Sequence, residues 1–198
     1  MKAYYDARAP EYDEWYLGIG KFAERDRPDW ELETAELTSV LERLPAARTL
    51  DVACGTGFLT RHLRGEITGV DQSARMLEIA ADRVPDGRFV QADALALPFE
   101  DRAFDRLFTG HFYGHLDEDE RMRFLAEARR VAGELVVVDS AERPDTQDGM
   151  QERVLNDGSR WAVLKRYFTP DQLLAELGGG ESLLDGRWYV AVRVPLAR

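Results

Sequence analysis

Three aspartates close or follow three successive β-like runs, T-L-D at 49–51, G-V-D at 69–71 and Q-A-D at 91–93. An acid there places a hydrogen-bond acceptor at the carboxyl edge of a sheet. In an open parallel sheet that edge, near the point where the strand order reverses, is where ligands bind. Between Asp51 and Asp71 lies C-G-T-G, in which Gly55 and Gly57 are separated by one threonine. Glycine admits a positive φ and lets a ligand approach the backbone. The amide groups of such a turn, at the start of a helix, favour a carboxylate or a phosphate. Asp71 stands 16 residues beyond Gly55, close to the spacing of an acid that accepts both hydroxyls of a ribose. Asp93 is placed to accept from an adenine amino group. Each acid alone is also an ordinary turn former or helix cap.

A second group follows the fourth strand-like run. His111 and His115, with Tyr113 between them, are candidates for a general base, since a histidine titrates near neutral pH. His115 is equally placed to cap the following helical region. Lys165 and Arg166 read as solvated charges on a strand edge, or else Arg166 contacts an anionic part of a substrate or anchors the acidic N-terminal segment. Tyr16, Phe112, Tyr113, Trp161 and Tyr167 fit a pocket for a small, partly apolar acceptor.

The elements that must hold these residues are legible. Apolar spacing at Leu37, Val40, Leu41 and Leu44 predicts a helix over 28–44, which Pro45 ends. Strands are predicted at 48–53, 66–71, 88–93, 105–110 and 134–139. A helix is expected directly after the glycine turn (Leu59, Leu63). Another is capped by Ser73 and carries Met76, Leu77 and Ala80, and a third starts at the capping pair Asp117 and Glu120. Strands alternating with helices make a parallel, doubly wound sheet. Residues 140–160 are polar and turn-rich, and read as a long excursion with some helix. A strand-like piece at 161–168, a helix capped by Thr169 and a hairpin turning at Asp185-Gly186 complete the chain. Residues 1–20 carry five tyrosines or tryptophans among acids, so the segment docks, either as a helix covering the core or as a lid.

With 198 residues and 44% hydrophobic content, one domain over 1–198 is expected. The net charge of -11 argues against electrostatic nucleic-acid binding and against anionic membranes, without excluding a local basic patch. No apolar run approaches the roughly 20 residues of a spanning helix, and a cytoplasmic monomer or homodimer is expected. The single cysteine, Cys54, makes neither an internal disulfide nor a cysteine metal site, so no metal is expected. A dinucleotide site would want a third glycine where Thr60 stands, which weakens a nicotinamide-dependent oxidoreductase.

D-V-A-C-G-T-G, V-D-Q-S-A-R-M-L, Q-A-D-A-L-A-L-P-F and F-D-R-L-F-T-G-H-F resemble, in order, motifs I to IV of class I S-adenosylmethionine (SAM) methyltransferases. The similarity to the methyltransferase-11 type, which includes small-molecule and quinone methylases, extends to Y-Y-D-A-R-A-P-E-Y-D and K-R-Y-F-T-P-D-Q-L. One departure is A-G-E at 132–134, where relatives commonly have P-G-G. The resemblance implies an α/β, Rossmann-like, seven-stranded, mostly parallel sheet with helices on both faces and a C-terminal antiparallel hairpin. It also implies methyl transfer from SAM to a small molecule, with a non-catalytic SAM-binding protein of the same fold as the alternative. By the resemblance Gly55 and Gly57 line the methionine moiety, Asp51 orders the turn, and Asp71 takes the ribose hydroxyls. Met76 would lie behind the adenine, Asp93 and Ala94 at its edge, and Thr109 and Gly110 near the sulfonium. Ala53, Gln72, Tyr5 and Tyr12 join the cofactor set, while Tyr16, Arg166 and Tyr167 would meet the acceptor. Residues 1–20 would be lid-like, and 140–168 a substrate-side excursion.

Overall fold

The computed structural model describes residues 2–196. Met1, Ala197 and Arg198, which belong to the expected domain over 1–198 and, for Met1, to the N-terminal segment, lie outside the described residues.

Seven strands form one sheet in the order β3-β2-β1-β4-β5-β9-β8. Strands β1 (Ala47–Val52), β2 (Gly65–Asp71), β3 (Arg88–Gln91), β4 (Arg106–Gly110) and β5 (Glu134–Ser140) run parallel. The closing hairpin, β8 (Glu181–Asp185) and β9 (Tyr189–Pro195), lies antiparallel along β5. Strand order reverses between β1 and β4, so the crevice at their carboxyl ends is the expected ligand position. Side-chain alternation sends Leu107, Val137 and Val192 to one face and Phe108, Val136, Val138 and Ala191 to the other. Both faces of the central strands are therefore covered, and this explains the unbroken apolar run of β5.

One face is covered by α5 (Glu118–Val131) and α6 (Pro170–Leu177), the other by α3 (Trp30–Arg43). Capping chemistry fixes where these helices start. Asp117 with Glu120, and Thr169 with Gln172, form reciprocal capping boxes, and Ser73 accepts the Met76 N–H at the start of α4 (Ala74–Arg83).

Two expectations fail. No α-helix follows the glycine turn, because only residues 53–64 link β1 to β2 and they are spent on the turn and one 3-10 turn at Thr60–His62. Phe58, Leu59 and Leu63 bury their side chains without helical periodicity. Residues 140–160 hold no helix either. Strands β6 (Gly149–Val154) and β7 (Arg160–Lys165) pair as a separate antiparallel hairpin.

The N-terminal segment docks on that hairpin and on the glycine turn. In α1 (Lys2–Arg8), Tyr4 packs with Leu155 and Val163. Asp6 accepts the Ser73 hydroxyl at 2.6 Å, Asp13 accepts the Thr56 hydroxyl at 2.6 Å, and Glu11 accepts the Asn156 N–H at 2.5 Å. The following helix, α2 (Glu14–Leu17), belongs to the core: Tyr16 stacks on Phe58 at 4.1 Å and Trp15 meets Trp30 edge-on.

Candidate active site

A cleft opens where the sequence placed it, at the carboxyl ends of β1, β2, β3 and β4. Ala53 and Gly55 leave β1, Asp71 and Gln72 end β2, Ala92 and Ala94 follow β3, and Gly110, His111 and Phe112 end β4. Ala53 (φ 59) and His111 (φ 56) both hold the left-handed conformation that side chains avoid. Two such residues on the strands flanking the switch point mark stored strain at a site. The Asp71 carboxylate accepts the Gly55 N–H at 3.0 Å through Oδ2 and the Ser73 N–H at 2.8 Å through Oδ1. Burial pushes its pKa up against these two bonds. Tyr5 and Tyr12 roof the cleft and leave about 60 Å³ beneath them.

Asp51 lies deeper. Its Oδ2 accepts the Thr60 hydroxyl at 2.6 Å, while Oδ1 is buried without a partner among the described residues. Burial pushes this carboxyl up to about 8. It lines a small pocket shared with Tyr12, Ala53 and Gly110. An orphaned buried carboxylate oxygen there calls for a donor from a ligand.

A larger cavity, about 470 Å³, meets the cleft at Tyr5, Tyr12 and His111. Beneath it Asp139, at the end of β5, is fully buried and accepts from Lys165 Nζ at 2.5 Å, the Gly114 N–H at 2.8 Å and the Ser140 N–H at 2.7 Å. His111 Nδ1 lies 3.9 Å from Asp139, and His115 Nδ1 lies 2.5 Å from the Leu164 carbonyl. A carbonyl only accepts, so His115 carries its proton on Nδ1 and presents Nε2 as an acceptor. Burial first, then the neighbouring Lys165 charge, push both histidines down to about 3, with Asp139 opposing. Burial raises the Asp139 carboxyl, but Lys165 and the histidines outweigh it and the net shift is down.

Several expected site residues lie elsewhere. Tyr113 is core, packed on Phe124 and Phe168 with its hydroxyl on Glu176, because the 3-10 turn at Tyr113–His115 turns it away from the cavity. Tyr16 faces Phe58 instead of an acceptor. Arg166 is held by Glu176 and Asp148, so it neither anchors the N-terminal segment nor lines the cavity. Met76 is wholly buried in the core. Gly57 is required by packing: an added Cβ would sit 3.2 Å from Ala80 of α4, at a φ of +72°. The Thr109 hydroxyl ties β4 to β1 through the Val52 carbonyl at 2.8 Å. Asp93 caps its own turn by accepting the Leu95 N–H, while Ala94 does line the cleft. Tyr167 lines the cavity, with its hydroxyl against Gln151. Lys165, read as solvated, is buried.

Most of the larger cavity's wall escaped the sequence reading. Its cations come from α1, the loop before α3, the stretch after β5, and the β6–β7 hairpin. These segments share no sequence pattern, and nothing short of the docked N-terminus brings them together.

The family profile described as a methyltransferase domain matches residues 49–134, from β1 to the start of β5. Over residues 49–134 the chain is similar to a methyltransferase domain. The matched stretch thus holds the whole cleft floor, and most of the cavity wall, apart from His111 and His115, comes from outside it. The demethylmenaquinone methyltransferase of Thermotoga maritima is 42% identical over 118 residues, which are 56% of this chain and 49% of that protein. The chain spans about half the length of such curated relatives. Two solved structures of DhpI align over nearly the whole chain. The SAM–HEP complex has a TM-score of 0.75 at 25% identity, covering 98% of this chain and 95% of DhpI. The SAH complex has a TM-score of 0.73 at 28% identity, covering 99% and 95%. Among the described residues no helix is long and apolar enough to cross a membrane.

Proposed function

We propose that this chain transfers a methyl group from SAM to a small-molecule acceptor. The observation that carries the reading is Asp71: a buried carboxylate at the switch point, bonded to the N–H of the glycine turn and facing a cleft floored by Ala53, Gly55, Ala94 and Gly110. The residues fit the group. Asp71 keeps lone pairs for ribose hydroxyls, the small residues leave room for a nucleoside, and the orphaned Asp51 Oδ1 suits an ammonium donor. SAM supplies a methyl carried as an electrophile on a sulfonium. The chain supplies position, with the cleft and the larger cavity adjoining at His111. The DhpI complexes with SAM and SAH support the assignment by whole-chain similarity.

Residues 2–13 act as the lid. A ligand site ordinarily offers about 300 Å³ or more, whereas Tyr5 and Tyr12 leave about 60 Å³. Entry of SAM therefore requires the Tyr5–Tyr12 roof to lift. The β6–β7 hairpin, within the expected 140–168 excursion, supplies the acceptor side. Neither histidine suits the work of a base on a weakly acidic acceptor, because a base held near 3 takes such a proton poorly.

Photocross-linking of methyl-labelled SAM tests the reading. Label is expected on peptides that contain Tyr5, Tyr12 or residues 53–57, competed away by SAH. Label scattered over the surface and indifferent to SAH would contradict it.

A further inference from the structure

The larger cavity has a composition unlike the rest of the chain. Seven lysine or arginine side chains line it against three carboxylates, in a protein whose net charge is -11. A random patch of so acidic a surface would carry the opposite excess.

Four of these arginines lie over aromatic rings that line the same cavity. Arg27 lies 4.0 Å from the centroid of Trp30, Arg143 4.4 Å from Trp188, Arg25 4.7 Å from Phe22 and Arg8 4.8 Å from Tyr12. A ring face holds a guanidinium in place without neutralising it. Where a carboxylate would cancel the charge, an aromatic platform preserves it for something else. Arg8, Arg25, Arg27 and Arg153 have no carboxylate partner among the described residues; Arg27 donates to the Trp15 carbonyl and Arg153 to the Gln151 side chain. The one carboxylate partner of Arg143 among the described residues, Asp145, is mostly exposed. Burial and the nearby Arg153 charge both push the Arg25 pKa down, as expected of like charges gathered without a counter-charge.

We propose that this cavity binds a small organic oxyanion, a carboxylate or a phosphate ester, as the methyl acceptor. The inference rests on the methyl-transfer reading for the word acceptor. The oxyanion itself rests on the cavity. Ring walls admit an apolar body, and the guanidinium groups hold the charged end by paired N–H donors. An acceptor that arrives deprotonated would form the O–CH3 bond with its own lone pair as the S–CH3 bond breaks and its electron pair returns to sulfur, leaving neutral SAH; no proton has to be removed, which agrees with two histidines held neutral at the junction with the cofactor cleft.

Calorimetry with phenyl phosphate, benzoate and the neutral benzamide, each with and without saturating SAH, tests this. One or both anions should bind and benzamide should not, and the stronger anion names the headgroup. The double variant Arg25→Gln with Arg153→Gln should weaken anion binding by at least about tenfold, since hydrogen bonds to charged groups are the strong ones. Its SAH affinity should be unchanged. Its melting temperature without anion should hold or rise, because two repelling charges are gone; a merely structural pair would lower it. Protein that binds SAH but neither anion, or that binds benzamide equally well, overturns the inference. Failure to bind SAH with anion binding intact instead removes the cofactor reading, and with it the acceptor role.

Discussion

Lys165 Nζ lies 2.5 Å from Oδ1 of Asp139, joining the end of β7 to the end of β5 beneath both histidines. The pair is buried, and the Asp139 carboxylate also takes the Gly114 and Ser140 N–H groups. It therefore sets the path of the loop that carries His111 and His115.

Removing one partner of a buried pair leaves an uncompensated charge, at a cost of roughly 3–5 kcal/mol. Lys165→Met should lose about that much stability in urea unfolding. Adding Asp139→Asn should recover a large part of it. Equal stability of Lys165→Met and wild type would show that the pair contributes nothing.

The histidines give a pH dependence with a definite sign. Both are held near 3 in the folded chain against 6.5 ordinarily, so below 6.5 the unfolded chain binds protons that the folded chain refuses. Their contribution is present above about 6.5 and is lost as pH falls toward 3. Asp51 runs the other way: its carboxyl is raised from 3.8 to about 8, so its contribution is lost as pH rises through that window. Asp71, also raised by burial, runs with Asp51, while Asp139, held down against burial by Lys165 and the histidines, runs with the histidines, and acidification from 6.5 to 4 should destabilise the fold. Each group contributes about 1.4 kcal/mol per pH unit. His115→Gln should flatten the slope by about one proton, as read from unfolding free energies at several pH values. An unchanged slope would place the His115 titration near its ordinary value.

The two glycines of the turn should separate. Gly57→Ala puts a Cβ against the Ala80 backbone at positive φ, so it should cost about 1–2 kcal/mol of stability with SAH affinity per folded molecule retained. Gly55→Ala meets only the Tyr12 ring, at 3.5 Å, and its loss should fall more heavily on SAH affinity. Calorimetry beside thermal melts separates the two outcomes, and the reverse pattern would make Gly57 the ligand-facing glycine and Gly55 the packing one.

Hydrogen exchange tests the lid. Residues 2–13 should gain protection on SAH binding, while residues 14–17, locked by Tyr16 on Phe58, should be protected in both states. High, unchanging protection of 2–13 would make the whole segment fixed structure.

What the sequence revealed was local. Asp71 and Gly110, which end β2 and β4, and Gly55, three residues past the end of β1, can be placed at one sheet edge because the apolar run of each strand can be counted. Gly57 and Thr109 look ligand-facing in sequence, yet they serve the packing of α4 and the tie between β4 and β1, distinctions that depend on neighbours distant in sequence. Lys165 and Arg166 looked alike in K-R-Y. Lys165, the last residue of β7, turns inward to Asp139, and Arg166, just past the strand, turns outward to Glu176. Arg8, Arg27, Arg143 and Arg153 converge only through tertiary docking, so no spacing could announce them.

The central claim is that Asp71, beside the glycine turn, holds the ribose of SAM. Calorimetric titration of SAH into wild type and Asp71→Asn tests it most directly, the amide being chosen to preserve the size of a side chain that also accepts from Gly55 and Ser73. The wild type should bind SAH, and the variant should bind more weakly by about 2 kcal/mol, near thirtyfold, while remaining folded. Equal affinity of the two folded proteins, or no SAH binding by the wild type at millimolar concentration, would contradict the account.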